Sequence, residues 1–110
     1  MSNVRWKVWT DATTPEKARR VLARVLRTIE ATAPAVRIEP FDEGGHVAHF
    51  EIDVSLARWS DTVVEVLRRA QKLAAAWELR GDVDSALSLW ATQTGVAGVT
   101  AVSIACETVP

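Results

Sequence analysis

Apolar and polar positions alternate with two different periods along these 110 residues, and the switches between them lay out strand, helix, two strands, helix, then further strands. Over Val4 to Thr10, Val4, Trp6 and Val8 alternate with Arg5, Lys7 and Trp9, and β-branched or aromatic residues dominate, which predicts a half-buried strand. Thr13, Thr14, Pro15 and Glu16 then open a helix: either threonine can cap its free N–H groups, Pro15 fits the first turn, and Thr13 with Glu16 has capping-box spacing. Ala18, Val21, Leu22, Val25, Leu26 and Ile29 recur at three- and four-residue steps as one apolar stripe, and Pro34 is expected to stop the helix.

Val36 and Ile38 mark a second strand running towards Phe41, and Pro40 within it predicts a sheet edge, because proline cannot donate to a central ladder. Asp42 to Gly45 read as a hairpin connection. The third strand, His46 to Val54, places Ala48, Phe50, Ile52 and Val54 on one face and Val47, His49, Glu51 and Asp53 on the other. A second helix is expected to begin near Ser60, capped by its hydroxyl, with Trp59 and Val64 as a hydrophobic staple and Val63, Val66, Leu67, Ala70, Leu73 and Ala74 as the core stripe. Trp77 to about Asp82 returns to strand spacing. Asp84 to Thr92 suits a short helix or a strand, since short apolar runs do not separate the two. After Gly95 and Gly98, Val99 to Thr108 reads as a final strand with Val102, Ile104 and Cys106 on one face.

Two strand–helix–strand units joined by a central hairpin give an α+β architecture, a ferredoxin-like sandwich (βαββαβ) with an additional C-terminal strand and two helices on one face of an antiparallel sheet. One domain over residues 1–110 is expected from the length. The final strand is free to extend the sheet or to pair with another subunit, so a homodimer is an option.

Composition narrows the function classes. The single cysteine, Cys106, excludes an internal disulfide, and Met1 to Thr10 has no cationic and apolar leader, so a cytoplasmic location is expected. The longest apolar-rich stretch, Val96 to Cys106, is about half of the ~20 residues of a membrane-crossing helix, so no membrane association is expected. The ten arginines against three lysines, with abundant alanine, fit a GC-rich bacterial coding bias. Net charge is −1, yet residues 1–37 carry eight basic and three acidic side chains and residues 38–110 five basic and eleven acidic. A whole-protein nucleic-acid binder would be more basic, and Gly45 to Phe50 lacks the basic and paired aromatic residues with which such sheets stack bases, so nucleic acid is not an expected partner.

No set of residues forms a recognisable catalytic constellation. His46 and His49 fall on opposite faces of a strand, which disfavours a shared metal. His49, Glu51 and Asp53 share a face and would suit a His-carboxylate site; a solvated strand face is the plainer alternative. Asp82 and Asp84 beside Gly81 superficially resemble a calcium loop, but the twelfth position is Gln93 rather than a bidentate glutamate. Cys106 in an apolar strand reads as a buried small residue. No nucleophile elbow, phosphate loop or dinucleotide fingerprint is present, and no cofactor is expected. Lys17, Arg20, Arg24 and Arg27 form a cationic stripe opposite the apolar face of the first helix, a solvated surface or a contact for an acidic partner.

Five tryptophans accompany no tyrosine. Trp6, Trp59, Trp77 and Trp90 are expected in core phase or at element ends; Trp9 shares a strand face with Arg5 and Lys7 and is expected near His49, Glu51 and Asp53. It is then either an exposed anchor or covered by the 84–92 segment. The reading that follows is a non-enzymatic bacterial protein-binding module, an immunity protein or antitoxin blocking a toxin by occlusion, with Trp9, Arg5, Lys7, His49, Glu51 and Asp53 as the partner-binding set. The alternatives are a dimeric α/β-barrel enzyme resembling cofactor-free monooxygenases, with His49 as acid or base, and a small-ligand-binding regulatory module.

Overall fold

In the computed structural model, which describes residues 2–33, 35–54, 58–82 and 86–107, the first strand of the chain becomes the middle of the sheet. The elements are β1 (Ser2–Thr10), α1 (Pro15–Thr28), β2 (Val36–Pro40), β3 (His46–Val54), α2 (Trp59–Leu73), β4 (Glu78–Asp82), β5 (Ala86–Ala91) and β6 (Val99–Glu107). Six strands pair antiparallel in the order β2-β3-β1-β6-β5-β4, and both helices pack on one face. The expected α+β sandwich is the observed one. Its frame of β2-β3-β1-β6 with α1 and α2 is the ferredoxin-like arrangement.

The extra element sits elsewhere than expected. The C-terminal strand is not an appendage: β6 lies beside β1, and the β4–β5 hairpin extends the far edge. The residues explain this exchange, because β6 places Ile104 opposite Trp6, and Val102 opposite Val8, in an apolar row that continues to Phe50 and Ala48 of β3. Trp6, Ile104, Val8 and Val102 are almost wholly buried, and the rings of Trp6 and Phe50 stack at 5.8 Å with 12° between planes. β4, with every residue exposed, has nothing comparable to bury at the centre of a sheet. Of the ambiguous 84–92 segment, Ala86–Ala91 is strand, with Leu87, Leu89 and Ala91 facing in. Asp84 and Pro34, to which the turn and the helix stop are assigned above, lie outside the described residues, as does Thr108.

Helix boundaries follow local chemistry. Thr14 caps α1, its hydroxyl accepting from the Lys17 N–H at 3.2 Å, so the Thr13–Glu16 capping box does not form. At the other end Glu30 takes φ 56°, and the N–H groups of Glu30 and Ala31 return to the carbonyls of Arg27 and Leu26, a Schellman closure that ends the helix at Thr28, well before the proline. α2 starts one residue earlier than expected: Arg58 is the cap residue, with no side-chain cap, and Ser60 lies inside the helix. Val64 is 64% exposed, so it staples nothing, while Trp59 packs partly against the core. Trp77 precedes β4 and donates its Nε1–H to the carbonyls of Ala70 and Ala74, both at 3.0 Å, satisfying two groups at the end of α2. No helix among the described residues is long and apolar enough to cross a membrane.

A buried polar knot fixes the end of the sheet where β1 meets α1. Thr10 Oγ1 donates to the His46 carbonyl at 3.1 Å and accepts from the Ala12 N–H at 3.3 Å, and His46 Nδ1 lies 2.7 Å from the Ala12 carbonyl, which makes it the donor. Gly45 completes it with φ 79°, and a Cβ there would collide with the Thr10 carbonyl oxygen. Gly45→Ala therefore meets both a left-handed backbone and a backbone clash, and is expected to cost about 3 kcal/mol in urea unfolding. A loss below about 1 kcal/mol would show that this junction yields easily.

Candidate functional site

The face of the sheet away from the helices carries the odd-numbered side chains of β1 and β3. Parity decides this: once Val4, Trp6 and Val8 face the helices, Arg5, Lys7 and Trp9 must face the other way. All six residues of the expected set lie on this face. Arg5 stands opposite Glu51, Lys7 opposite His49, Trp9 opposite Val47, and Asp53 is at the far end of β3. Arg5, Lys7, Glu51 and Asp53 are exposed, and Trp9 and His49 are half-buried.

Hydrogen bonds redistribute the expected partners. Arg5 bonds not to Glu51 but to Glu107 of β6, at 2.7 Å. His49 Nε2 lies 2.7 Å from Glu39 Oε1 of β2, so its carboxylate partner is neither Glu51 nor Asp53. The Arg5–Glu107 pair joins strands at the two ends of the chain, whereas Glu39 and His49 lie ten positions apart on the β2–β3 hairpin. With both side chains about 60% exposed, the Arg5–Glu107 pair contributes at most about 1 kcal/mol. Arg5, Lys7, Arg37, His49 and Glu51 line a shallow hollow of about 580 Å³ on this face.

At the other end of the face, three aromatic side chains meet. The Trp9 ring has Trp90 edge-on at 5.1 Å and Phe41 edge-on at 6.5 Å, and Lys7 Nζ sits 5.9 Å from its centroid. Trp9 is thus partly covered by the 84–92 segment, through Trp90. That residue does not sit in the core: it lies one position from the end of β5 and, with Leu87 and Leu89 facing in, alternation sends it out to 38% exposure. Phe41 is also 38% exposed. Beneath this cluster Val47 and Ala101 are buried although they point to the open side, so the aromatic rings shelter a small apolar floor. Edge-to-face contact holds the rings in place.

The remaining chemistry-bearing groups serve the fold. His46 belongs to the buried knot, on the face opposite His49. The Cys106 thiol points into the core and donates to the Leu87 carbonyl at 3.5 Å, and burial pushes its pKa up, away from thiolate chemistry. Among the described residues no group of three His, Cys, Asp or Glu side chains is placed to hold a metal ion. Missed by the sequence reading were Trp90, Phe41, Arg37, Glu39 and Glu107. The period-2 spacing of Leu87 and Leu89 carried the signal for Trp90.

Comparison with protein-family models, with curated proteins and with solved structures finds no match.

The helical layer distributes its charges unevenly. On α2, Glu65 accepts from Arg68 at 2.6 Å and from Arg69 at 3.0 Å, and Lys72 reaches Glu30 at 3.1 Å. The two guanidinium hydrogen bonds hold the Glu65 carboxyl down at about 2. A carboxyl with a lowered folded-state pKa stabilises above its ordinary range, so the contribution of Glu65 is complete at neutral pH and disappears as pH falls from about 4.5 to about 2. Glu65→Gln is accordingly expected to lose about 1 kcal/mol at pH 7, allowing for solvent screening, and to match the parent near pH 2. Urea unfolding across that range is the check, and a pH-independent difference would assign the effect to packing instead.

Proposed function

We propose that this chain is a non-enzymatic protein-binding module that seats its uncovered sheet face on a partner and blocks it by occlusion, as an immunity protein or antitoxin blocks a toxin. The carrying observation is the cluster of Trp9, Trp90 and Phe41 on a face that no helix covers. Aromatic side chains partly buried at their base and exposed at their edge offer large apolar area at little cost in side-chain entropy, the usual anatomy of an interface hot spot. Its surroundings fit the same reading. Arg5, Lys7, His49, Glu51 and Asp53 lie along the same face as a mixed-charge border, which orients a partner and excludes mispaired ones more than it adds affinity.

The mechanism needs no chemistry from the module. Trp9 and Trp90 act as the apolar anchor, Phe41 closes one side of it, and the Arg5–Glu107 ion pair and the His49–Glu39 hydrogen bond keep the border side chains ordered before contact. The partner's functional surface is then inaccessible while the complex lasts.

The test is affinity capture from the source cell with quantitative comparison of variants. A partner specific to this face is retained by Arg19→Gln, on the exposed side of α1, and loses about thirty-fold in affinity with Trp9→Ala or Trp90→Ala, the effect of removing about 2 kcal/mol of anchor. Retention of every partner by the double Trp9→Ala/Trp90→Ala variant would contradict the proposal.

A further inference from the structure

A second surface lies beside α1 and contains none of the residues proposed above to bind a partner. Between α1 and the turn before β6 lies a groove of about 430 Å³ lined by Asp11, Thr13, Lys17, Arg20, Arg24 and Gly98, among others. We propose that this groove binds the phosphate chain of a small di- or triphosphate.

Charge is the first argument. Lys17, Arg20 and Arg24 line the groove against a single carboxylate, Asp11, and none of the three forms an ion pair among the described residues. On α2, by contrast, Arg68, Arg69 and Lys72 each have a carboxylate within 3.1 Å. Arg68 and Arg69 are thus neutralised by Glu65 and Lys72 by Glu30, whereas α1 turns three of its cations into a concavity. Three cations against one carboxylate leave the groove short of two negative charges, which one phosphate chain supplies and one carboxylate ligand does not.

Shape is the second argument. The groove has a fixed floor: Gly98 adopts φ 90°, a Cβ there would lie 2.8 Å from Val21 Cγ2, and the Gly98 carbonyl accepts from the Asp11 N–H at 3.0 Å. The turn is therefore seated directly on α1. Arg24 Nη1 reaches the Ala97 carbonyl at 3.5 Å, which leaves its other guanidinium N–H groups for a ligand. Lys17, Arg20 and Arg24 follow the i, i+3, i+7 row of one helix face, a span of about 10 Å along the axis, and arginine forks match phosphate oxygens two at a time.

The lining also sets the ligand class. Its apolar wall is Ala12, Val21 and Ala97, with no aromatic ring on which a base would stack. The groove therefore reads phosphates and leaves the remainder of the ligand in solvent. A long nucleic-acid backbone is disfavoured because the whole chain is net −1, with its acidic excess in residues 38–110.

The experiment is titration of the full chain with sodium tripolyphosphate at 150 mM salt, followed by ¹⁵N NMR. Saturable one-to-one binding is expected, with shifts confined to residues 11–13, 17–24 and 97–98. Arg20→Gln/Arg24→Gln is expected to weaken binding at least ten-fold, whereas Arg19→Gln/Arg27→Gln, an equal change of charge on the same helix, stays within three-fold. ATP run in parallel distinguishes a nucleotide source from an inorganic chain, and affinities within three-fold of each other are expected if phosphates alone are read. Absence of saturation, equal loss in the two double variants, an ATP preference above ten-fold, or tighter binding of an oligonucleotide or poly-glutamate would each overturn the proposal. The shift map on the parent protein decides the matter even if a variant is unstable.

Discussion

The apolar row in which Trp6 lies between Phe50 and Ile104 is the contact on which the molecule depends. It sets the parity of the central strand, and parity is all-or-none: a slip of one residue would turn Trp6 out and Trp9 in. Because β1 pairs on both sides, the same choice fixes the faces of β3 and β6, and through β6 those of β5. Both helices cover the Trp6 side. The opposite side is then left to Arg5, Lys7, Trp9, His49, Glu51, Trp90 and the small residues Ala101, Ser103 and Ala105. The surface proposed to bind a partner is thus a direct consequence of how the core is packed. One strain stays within that core, since Trp6 Nε1 is buried with no hydrogen-bond partner among the described residues, and the ring stack on Phe50 must offset its desolvation.

Sequence reasoning reaches those features that depend on neighbours in the chain. The alternation of Val4, Trp6 and Val8, the stripe from Ala18 to Ile29 and the Pro40 edge strand are all visible because each is encoded within a few residues. Which strand lies next to which is a different kind of information. The choice of β6 over β4 as neighbour of β1 is made by the depth of the apolar row, and Glu78–Asp82, with its charges and glycine, is a poor competitor for a central place. A reading strand by strand cannot weigh that competition.

The candidate site shows the same division. Placing Trp9 with Arg5, Lys7, His49, Glu51 and Asp53 on one face needed only parity within two strands. The partner Glu107 needed the full sheet order, since Arg5 and Glu107 are 102 positions apart, whereas Glu39 needed only the register of the β2–β3 hairpin. Trp90 escaped because a run such as Ala86-Leu87-Ser88-Leu89-Trp90 is too short to distinguish strand from helix, and the two choices send the indole to different sides. Its arrival beside Trp9 converts one half-buried tryptophan into an aromatic patch.

The central claim is that the free protein leaves one side of its sheet uncovered, with the aromatic patch accessible. Labelling with 5-fluorotryptophan and comparing ¹⁹F shifts in H₂O and D₂O measures this directly, each of the five indoles reporting its own contact with solvent. The account predicts a clear isotope shift for Trp90, a smaller one for Trp9 and none for Trp6. Trp9 and Trp90 resonances as insensitive to solvent as that of Trp6 would contradict it, because the face would then be closed before any partner arrives.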